Sequence, residues 1–340
     1  MIRKSSSSGL VKAGQLLLDG QVVPQSFWDQ TTPDKLPALT APRRRFIENV
    51  VAIKEEPEAY NTTYLARELV QCTLPHRDPG SVPSWERRNG RIHLGITPGW
   101  DFEHKESIGF PYGIHPRLLL YWITTEAART HSKTLYVGAS YSAFIRKLGL
   151  NSRTGGGVRG THKSLRNQVR RLFAARISFQ ESFVTPTRNG HRWMNMEVTK
   201  GGELWWDPRD PDLVDSWEGY ISLGDVFYEA ITATPVPVDF RHLRALKKSP
   251  LTLDLYAWLT YKAHIAMESG KDQFGPWGGL TEQFGSDYKR PRAFRENALD
   301  ALVKIQAVYD GLRIIATAEG IRILASSKPA IPPRIMIAGA

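Results

Sequence analysis

Apolar and polar positions alternate along this chain with helical and strand periods that recur twice in one order. In PRLLLYWITTEAART (116–130) and PLTLDLYAWLTYKAHI (250–265), a Pro opens an apolar run with the spacing of an amphipathic helix around a central Trp. A shorter helical stretch follows each, over 140–150 and within 275–285. Each ends in a Gly 27 residues after the Trp: Trp122 to Gly149, and Trp258 to Gly285. A longer basic helix comes next, over 160–177 and 290–309, with Ser140 and Thr161 as N-caps in the first copy. A strand-like run, 134–138, separates the first two helices of the first copy. Both copies close on a hairpin. In the first, RISFQESFVTPT and RWMNMEV flank Arg188-Asn189-Gly190-His191, an Asn-Gly turn signal; the second runs over 312–326 and turns near Ala318–Gly320. Helix, short helix, longer helix, hairpin predicts an α+β protein built of tandem winged-helix (helix-turn-helix) domains, with the first hairpin as a wing.

The remaining segments frame these copies. Residues 1–42 are rich in Ser, Gly, Thr and Pro, and 43–57 predict a short helix stopped by Pro57. Residues 65–80 and 91–100 read as strands around a loop with Pro79, Gly80 and Pro83, packed on the first copy. An acidic, Pro-broken stretch (205–217) and a short helix (224–232) lead to the second copy. The predicted division is a flexible segment 1–57, a first domain 58–234 including the acidic connector, a second domain 235–328, and a loose tail 329–340.

Charge sharpens this picture. The formal net charge is +11, and between Pro111 and Trp205 there are 15 Lys/Arg against four Asp/Glu. Residues 206–235 hold one Arg against seven acids, and 236–328 hold 14 basic against 10 acidic residues. The excess therefore sits on the first copy and calls for a polyanionic partner. On a wheel of its third helix, Leu165, Val169, Leu172 and Phe173 form an apolar stripe. Arg159, Lys163, Arg166 and Arg170 form a cationic stripe beside it, with Asn167 adjacent and Thr161 and Arg171 on the same helix. Arg suits the guanine edge and Asn the adenine edge, while the other charges suit phosphates. With Arg188 and Arg192 of the hairpin, these are the candidate DNA contacts of the first copy. Lys289, Arg290, Arg292 and Arg295, at the start of the third helix of the second copy, are the others.

Several classes are excluded. The single Cys72 leaves neither an intramolecular disulfide nor a Cys-rich zinc site, and the His residues lack metal-ligand spacing, so neither metal nor cofactor is expected. GGGVRGTHKS (155–164) imitates a phosphate loop, but Thr161 and His162 separate its last Gly from Lys163. No nucleophile has a plausible base, and no enzyme activity is expected. No apolar run reaches the roughly 20 residues that span a bilayer, so a cytoplasmic protein without membrane contact is expected.

LARELVQCTLPHRDPG (65–80), FPYGIHPRLLLYWITTEA (110–127) and VPVDFRHLRALKKSPLTLDLYAWLTY (236–261) strongly resemble the plasmid-encoded RepA-type replication initiators of bacteria. The similarity runs over about residues 60–328 and leaves out the first 55. It implies a protein that binds repeated duplex sites (iterons) at a plasmid origin, helps open the adjacent A·T-rich duplex and recruits the host replication initiator and replicative helicase. Some related initiators repress their own promoter as homodimers, so a winged-helix autorepressor is the alternative expectation. A DNA-nicking or priming enzyme ranks below both.

Overall fold

The computed structural model describes residues 17–18, 21–22, 40–138, 141–150, 161–184, 187–204, 219–285, 288 and 290–332. The N-terminal part contributes β1 (Leu17–Leu18), β2 (Gln21–Val22), α1 (Ala41–Glu55), β3 (Thr62–Leu65), α2 (Arg67–Gln71), β4 (Trp85–Asn89), β5 (Ile92–Thr97), β6 (Trp100–Asp101) and β7 (Glu106–Ser107). Then come α3 (Ile114–Thr130), β8 (Thr134–Tyr136), α4 (Tyr141–Lys147), α5 (Thr161–Ala174), β9 (Arg176–Val184), β10 (Asn189–Glu197), β11 (Thr199–Leu204) and β12 (Gly219–Leu223). A bridge of α6 (Asp225–Ala233), β13 (Val236–Asp239) and α7 (Phe240–Leu246) leads to α8 (Pro250–Ser269), β14 (Gln273–Pro276), α9 (Trp277–Phe284), α10 (Pro291–Val308), β15 (Ile314–Ala316) and β16 (Gly320–Ile323).

Local chemistry accounts for the long helices. The Ser249 side chain caps α8 by accepting from the Thr252 N–H at 3.2 Å, Pro250 occupies its first turn, and Gly270 closes it with φ 63°. Asp239 caps α7, accepting from the Arg241 N–H at 2.9 Å. On α3 and α8 nearly every side chain from Leu118 to Ile123 and from Leu251 to Leu259 is buried. Both tryptophans meet a phenylalanine edge-on: Trp122 packs on Phe144 of α4 at 5.0 Å between ring centroids, and Trp258 on Phe284 of α9 at 6.1 Å.

The fold is mixed α/β, with helices around several small sheets. In the second copy β14 pairs with β16 and β16 with β15; in the first, β8 pairs with β12 and β12 with β11. The strand between the first two helices thus pairs with the last strand of its own copy each time. This moves two sequence assignments. The 176–197 hairpin does not join the β8 sheet; β9 pairs with β5, and the order β10-β9-β5-β4 makes a separate four-stranded sheet. The strands in the topological place of the second copy's hairpin are β11 and β12, which flank the acidic stretch read as a connector. Within the 176–197 hairpin, Asn189 pairs with Val184 and Gly190 with Phe183, so Asn189-Gly190 opens β10 and belongs to the strand.

Three further differences concern the N-terminal part and the tail. Residues 67–71, read as strand, are the short helix α2, because Leu69 and Val70 are buried together on one side of it. Two pieces of the segment read as flexible, β1 and β2, extend the second copy's sheet, with β1 parallel to β15. Ala330, in the segment read as a loose tail, is 5% exposed. A seam runs between the segments around α3 and α8: β13 pairs with β3, and α3 touches α8.

At that seam Asp254 of α8 accepts from Arg117 of α3 through Nε and Nη2, both at 2.8 Å, and pairs with His76 Nε2 at 2.8 Å. The other Arg117 donors reach the carbonyls of Leu74, Pro75 and Gly113 at 2.6, 3.0 and 2.7 Å. Gln283 of α9 donates to the Gln71 carbonyl at 2.9 Å, and Arg87 of β4 to the Gln283 carbonyl at 2.9 Å.

Candidate nucleic-acid interface

The third helix of the first copy, α5, has one dry side and one wet side. Leu165 and Leu172 are fully buried and Val169 nearly so, and Gln168, on the same side, holds the Tyr112 N–H at 2.8 Å. Burying each of these apolar side chains is worth about 1.5–3 kcal/mol. Lys163 and Asn167 are exposed and Arg166 is half-buried; among the described residues none of the three has an ion-pair or side-chain hydrogen-bond partner. Thr161 opens the helix. Arg159 lies outside the described residues, as does most of the loop that imitates a phosphate-binding motif.

The remaining cations of α5 are engaged within the protein. The Arg170 Nη2 donates to Asp101 in the β6–β7 hairpin. That carboxylate also accepts the Glu103 and His104 N–H groups at 3.0 and 3.1 Å and holds His104 Nδ1 at 2.9 Å. The Arg170 hydrogen bond, with those from His104 and Glu103, holds the Asp101 carboxyl well below the usual carboxylate range. Asp101 was invisible to sequence reasoning, since nothing in WDFEHKES signals a partner 69 residues downstream. Arg171 points the other way: its Nη1 donates to Asp78 at 2.9 Å and to the Phe110 carbonyl at 3.2 Å, and its guanidinium lies over the Tyr112 ring at 5.2 Å. Arg171 braces the helix against the loops beneath it.

The other sequence candidates lie apart from α5. Arg188 and Arg192 are exposed on the β9–β10 hairpin. Arg192 sits over the Phe183 ring at 5.1 Å and 3.5 Å from Glu181. Beside it Trp193 is 71% exposed on an edge strand, a feature the sequence reading passed over. In the second copy Arg290 stands at the N-cap position of α10, makes no side-chain cap and is exposed, and Arg292 pairs with Glu296 at 3.0 Å. Arg295 lies over Trp277 at 5.3 Å and donates to the Thr317 carbonyl at 3.3 Å. Lys289 lies outside the described residues. The apolar side of α10 is as expected, with Phe294, Ala298, Ala301, Leu302, Ile305 and Tyr309 buried.

Chemically, α5 can place an exposed ammonium and carboxamide and a half-buried guanidinium in one row on a firmly docked helix, which suits phosphates and base edges. Among the described residues no group of three or more His, Cys, Asp or Glu side chains could hold a metal, and no helix is long and apolar enough to cross a membrane. Burial pushes the Cys72 thiol up to about 12, which leaves it unreactive.

Residues 110–274, just under half of the chain, match the model of the family described as plasmid encoded RepA protein, which is the family the sequence resembles. That segment runs from the start of α3 through α5 into β14. Two solved structures are similar in outline. One is a selenomethionine derivative of domains 2 and 3 of RctB, at 10% identity and a TM-score of 0.47, covering 75% of this chain and 95% of that one. The other is RctB domains 2–3, at 11% identity and a TM-score of 0.44, covering 75% and 94%. No curated protein sequence matches the chain.

Proposed function

We propose that this protein initiates plasmid replication by binding repeated duplex sites at an origin through two winged-helix units. In this reading α5 and α10 enter successive major grooves, the adjacent A·T-rich duplex opens, and the host replication initiator and helicase are recruited to it. The protein acts in the bacterial cytoplasm, without catalysis or cofactor. The observation that carries the reading is the row of exposed Lys163 and Asn167 with half-buried Arg166, unpaired among the described residues on a helix docked by its opposite face, inside the segment that matches the RepA family. Proteins that read duplex DNA through a third helix present such a row.

Two grooves read in succession cover about two turns, roughly 20 bp. The test is a nuclease footprint of the purified protein on the DNA flanking its gene, at stated salt. Tandem protected direct repeats of about that length support the reading. Protection of a single palindrome by a dimer, with no support of replication in trans, would establish the autorepressor instead. Strand nicking of a supercoiled origin by pure protein would overturn the absence of catalysis.

A further inference from the structure

The structure gathers cations at a place the sequence reading did not single out. α1 and α7 lie antiparallel: at one end Arg241 Nη1 of α7 donates to the Glu56 carbonyl that follows α1, at 2.6 Å. At the other end the first five residues of α1 include Arg43, Arg44 and Arg45, all exposed, beside the end of α7 with Arg244, Lys247 and Lys248. Lys247 is half-buried and donates to the carbonyl of Gly149, at the end of α4. Gly149 has φ +69°, and a Cβ there would meet Arg244 Cγ at 2.9 Å and Phe240 Cζ at 3.1 Å, so α4 and α7 are in tight contact. The chain leaves this point at Leu150 and is next described at Thr161, the start of α5.

We propose that Arg43, Arg44, Arg45, Arg244, Lys247 and Lys248 bind the sugar-phosphate backbone of duplex DNA where it passes the junction of the two copies. This rests on the duplex-binding reading above and adds a contact surface to it. A helix start carries a partial positive charge, so Arg43 and Arg44 in the first turn of α1, with Arg45 next and no acid in that turn, act against helix stability. Their placement therefore needs another reason. Several exposed cations elsewhere have acids: Arg292 with Glu296, Lys304 with Asp300, Arg129 with Glu126, and Lys133 and Lys200 with Asp225. Among the described residues, none of the six cations at the junction has a carboxylate within ion-pair distance. The Lys247 ammonium is held below its ordinary range, first by burial and then by Arg244, Lys248 and Arg45, as befits a site whose counter-charge is supplied from outside. A backbone contact at this point would fix the register of α5 and carry no sequence information.

The test uses the full chain and two fluorescent duplexes, one from the DNA flanking its gene and one of unrelated sequence, with affinity measured across a series of KCl concentrations. The variant is the exposed triple Arg45→Ala/Arg244→Ala/Lys248→Ala, with Arg45→Lys/Arg244→Lys as its charge-conserving control; unchanged thermal unfolding establishes that both are folded. The triple should weaken binding to both duplexes alike. It should also make the slope of log K against log salt shallower by about 2–3 units, since each phosphate left unneutralised removes about 0.9 from it. The control should keep the wild-type slope. An unchanged slope in the folded triple overturns the proposal, even if binding to an acidic polypeptide falls. If Lys163→Ala weakens binding while the triple does not, the junction surface fails and the duplex-binding reading survives. Failure of the wild type to bind either duplex sinks both.

Discussion

Every N–H of Arg117 has an acceptor, and its guanidinium and the Asp254 carboxylate are nearly inaccessible to solvent. A buried pair so satisfied costs little as a pair and much when halved. Asp254→Ala leaves a charged guanidinium stranded and should lower stability by about 3–5 kcal/mol, while the double variant Arg117→Met/Asp254→Leu should recover most of that loss. Urea unfolding of the two variants checks this, and equal losses would contradict it. Histidines at the same scale set the response to acid. Burial lowers the pKa of His76, against the pull of Asp254, and lowers that of His242 to about 4. The unfolded chain takes up these protons near pH 6.5, above the folded values, so it binds more protons over that interval. Stability is therefore complete above pH 6.5 and falls as pH drops toward 4. His104, raised by Asp101, works in the opposite direction but is solvent-exposed and screened. The midpoint of thermal unfolding should drop between pH 7 and pH 5, and by less in His242→Gln than in the wild type.

At the scale of the element, α5 separates residues that hold the helix from residues it offers. Arg171→Ala removes bonds to Asp78 and Phe110 and should reduce stability. Lys163→Ala and Arg166→Ala remove no ion pair or side-chain hydrogen bond and should leave the unfolding midpoint unchanged. If Arg166 contacts a base, its loss should weaken specific binding by about 1–3 kcal/mol; if Lys163 contacts a phosphate, its loss should flatten the salt slope by about one unit. Unchanged affinity in both would remove α5 from the interface. The apolar stripe Leu165, Val169 and Leu172 was legible because a helix that must bury one face writes that face at a 3.6-residue period. The engagement of Arg170 and Arg171 was not, because Asp101 and Asp78 are brought to them only by tertiary packing. Nor was the partner of the 176–197 hairpin: alternation marks a strand and its faces, whereas β5 and β8 compete for it on grounds that sequence spacing does not express. α2 was misread for a related reason, since five residues are too few to show a period.

At the scale of the molecule, the segments around α3 and α8 are held together along a buried seam. Asp254 grips Arg117 and His76, Gln283 reaches the Gln71 carbonyl, Arg87 reaches the Gln283 carbonyl, and β13 continues β3 as an antiparallel pair. Units joined by a flexible linker could follow two half-sites through changes of spacing, because the linker absorbs the rotation and the distance. Units joined by buried ion pairs and a shared strand pair cannot move that way without exposing Arg117 and Asp254. If α5 and α10 read neighbouring grooves, the spacing between their half-sites must then be fixed by the protein. Inserting about 5 bp between the half-sites, half a helical turn, turns the second groove to the far side of the duplex. Affinity should fall to that of a duplex carrying one half-site, and an insertion of about 10 bp should not restore it, since the groove faces correctly again but lies about 34 Å too far along the axis. Fluorescence anisotropy on the three duplexes decides the matter. Full affinity for the 10 bp insertion would mean that the seam opens on DNA. In that case Asp254→Ala, which loosens it, should bind the inserted site at least as well as the wild type does.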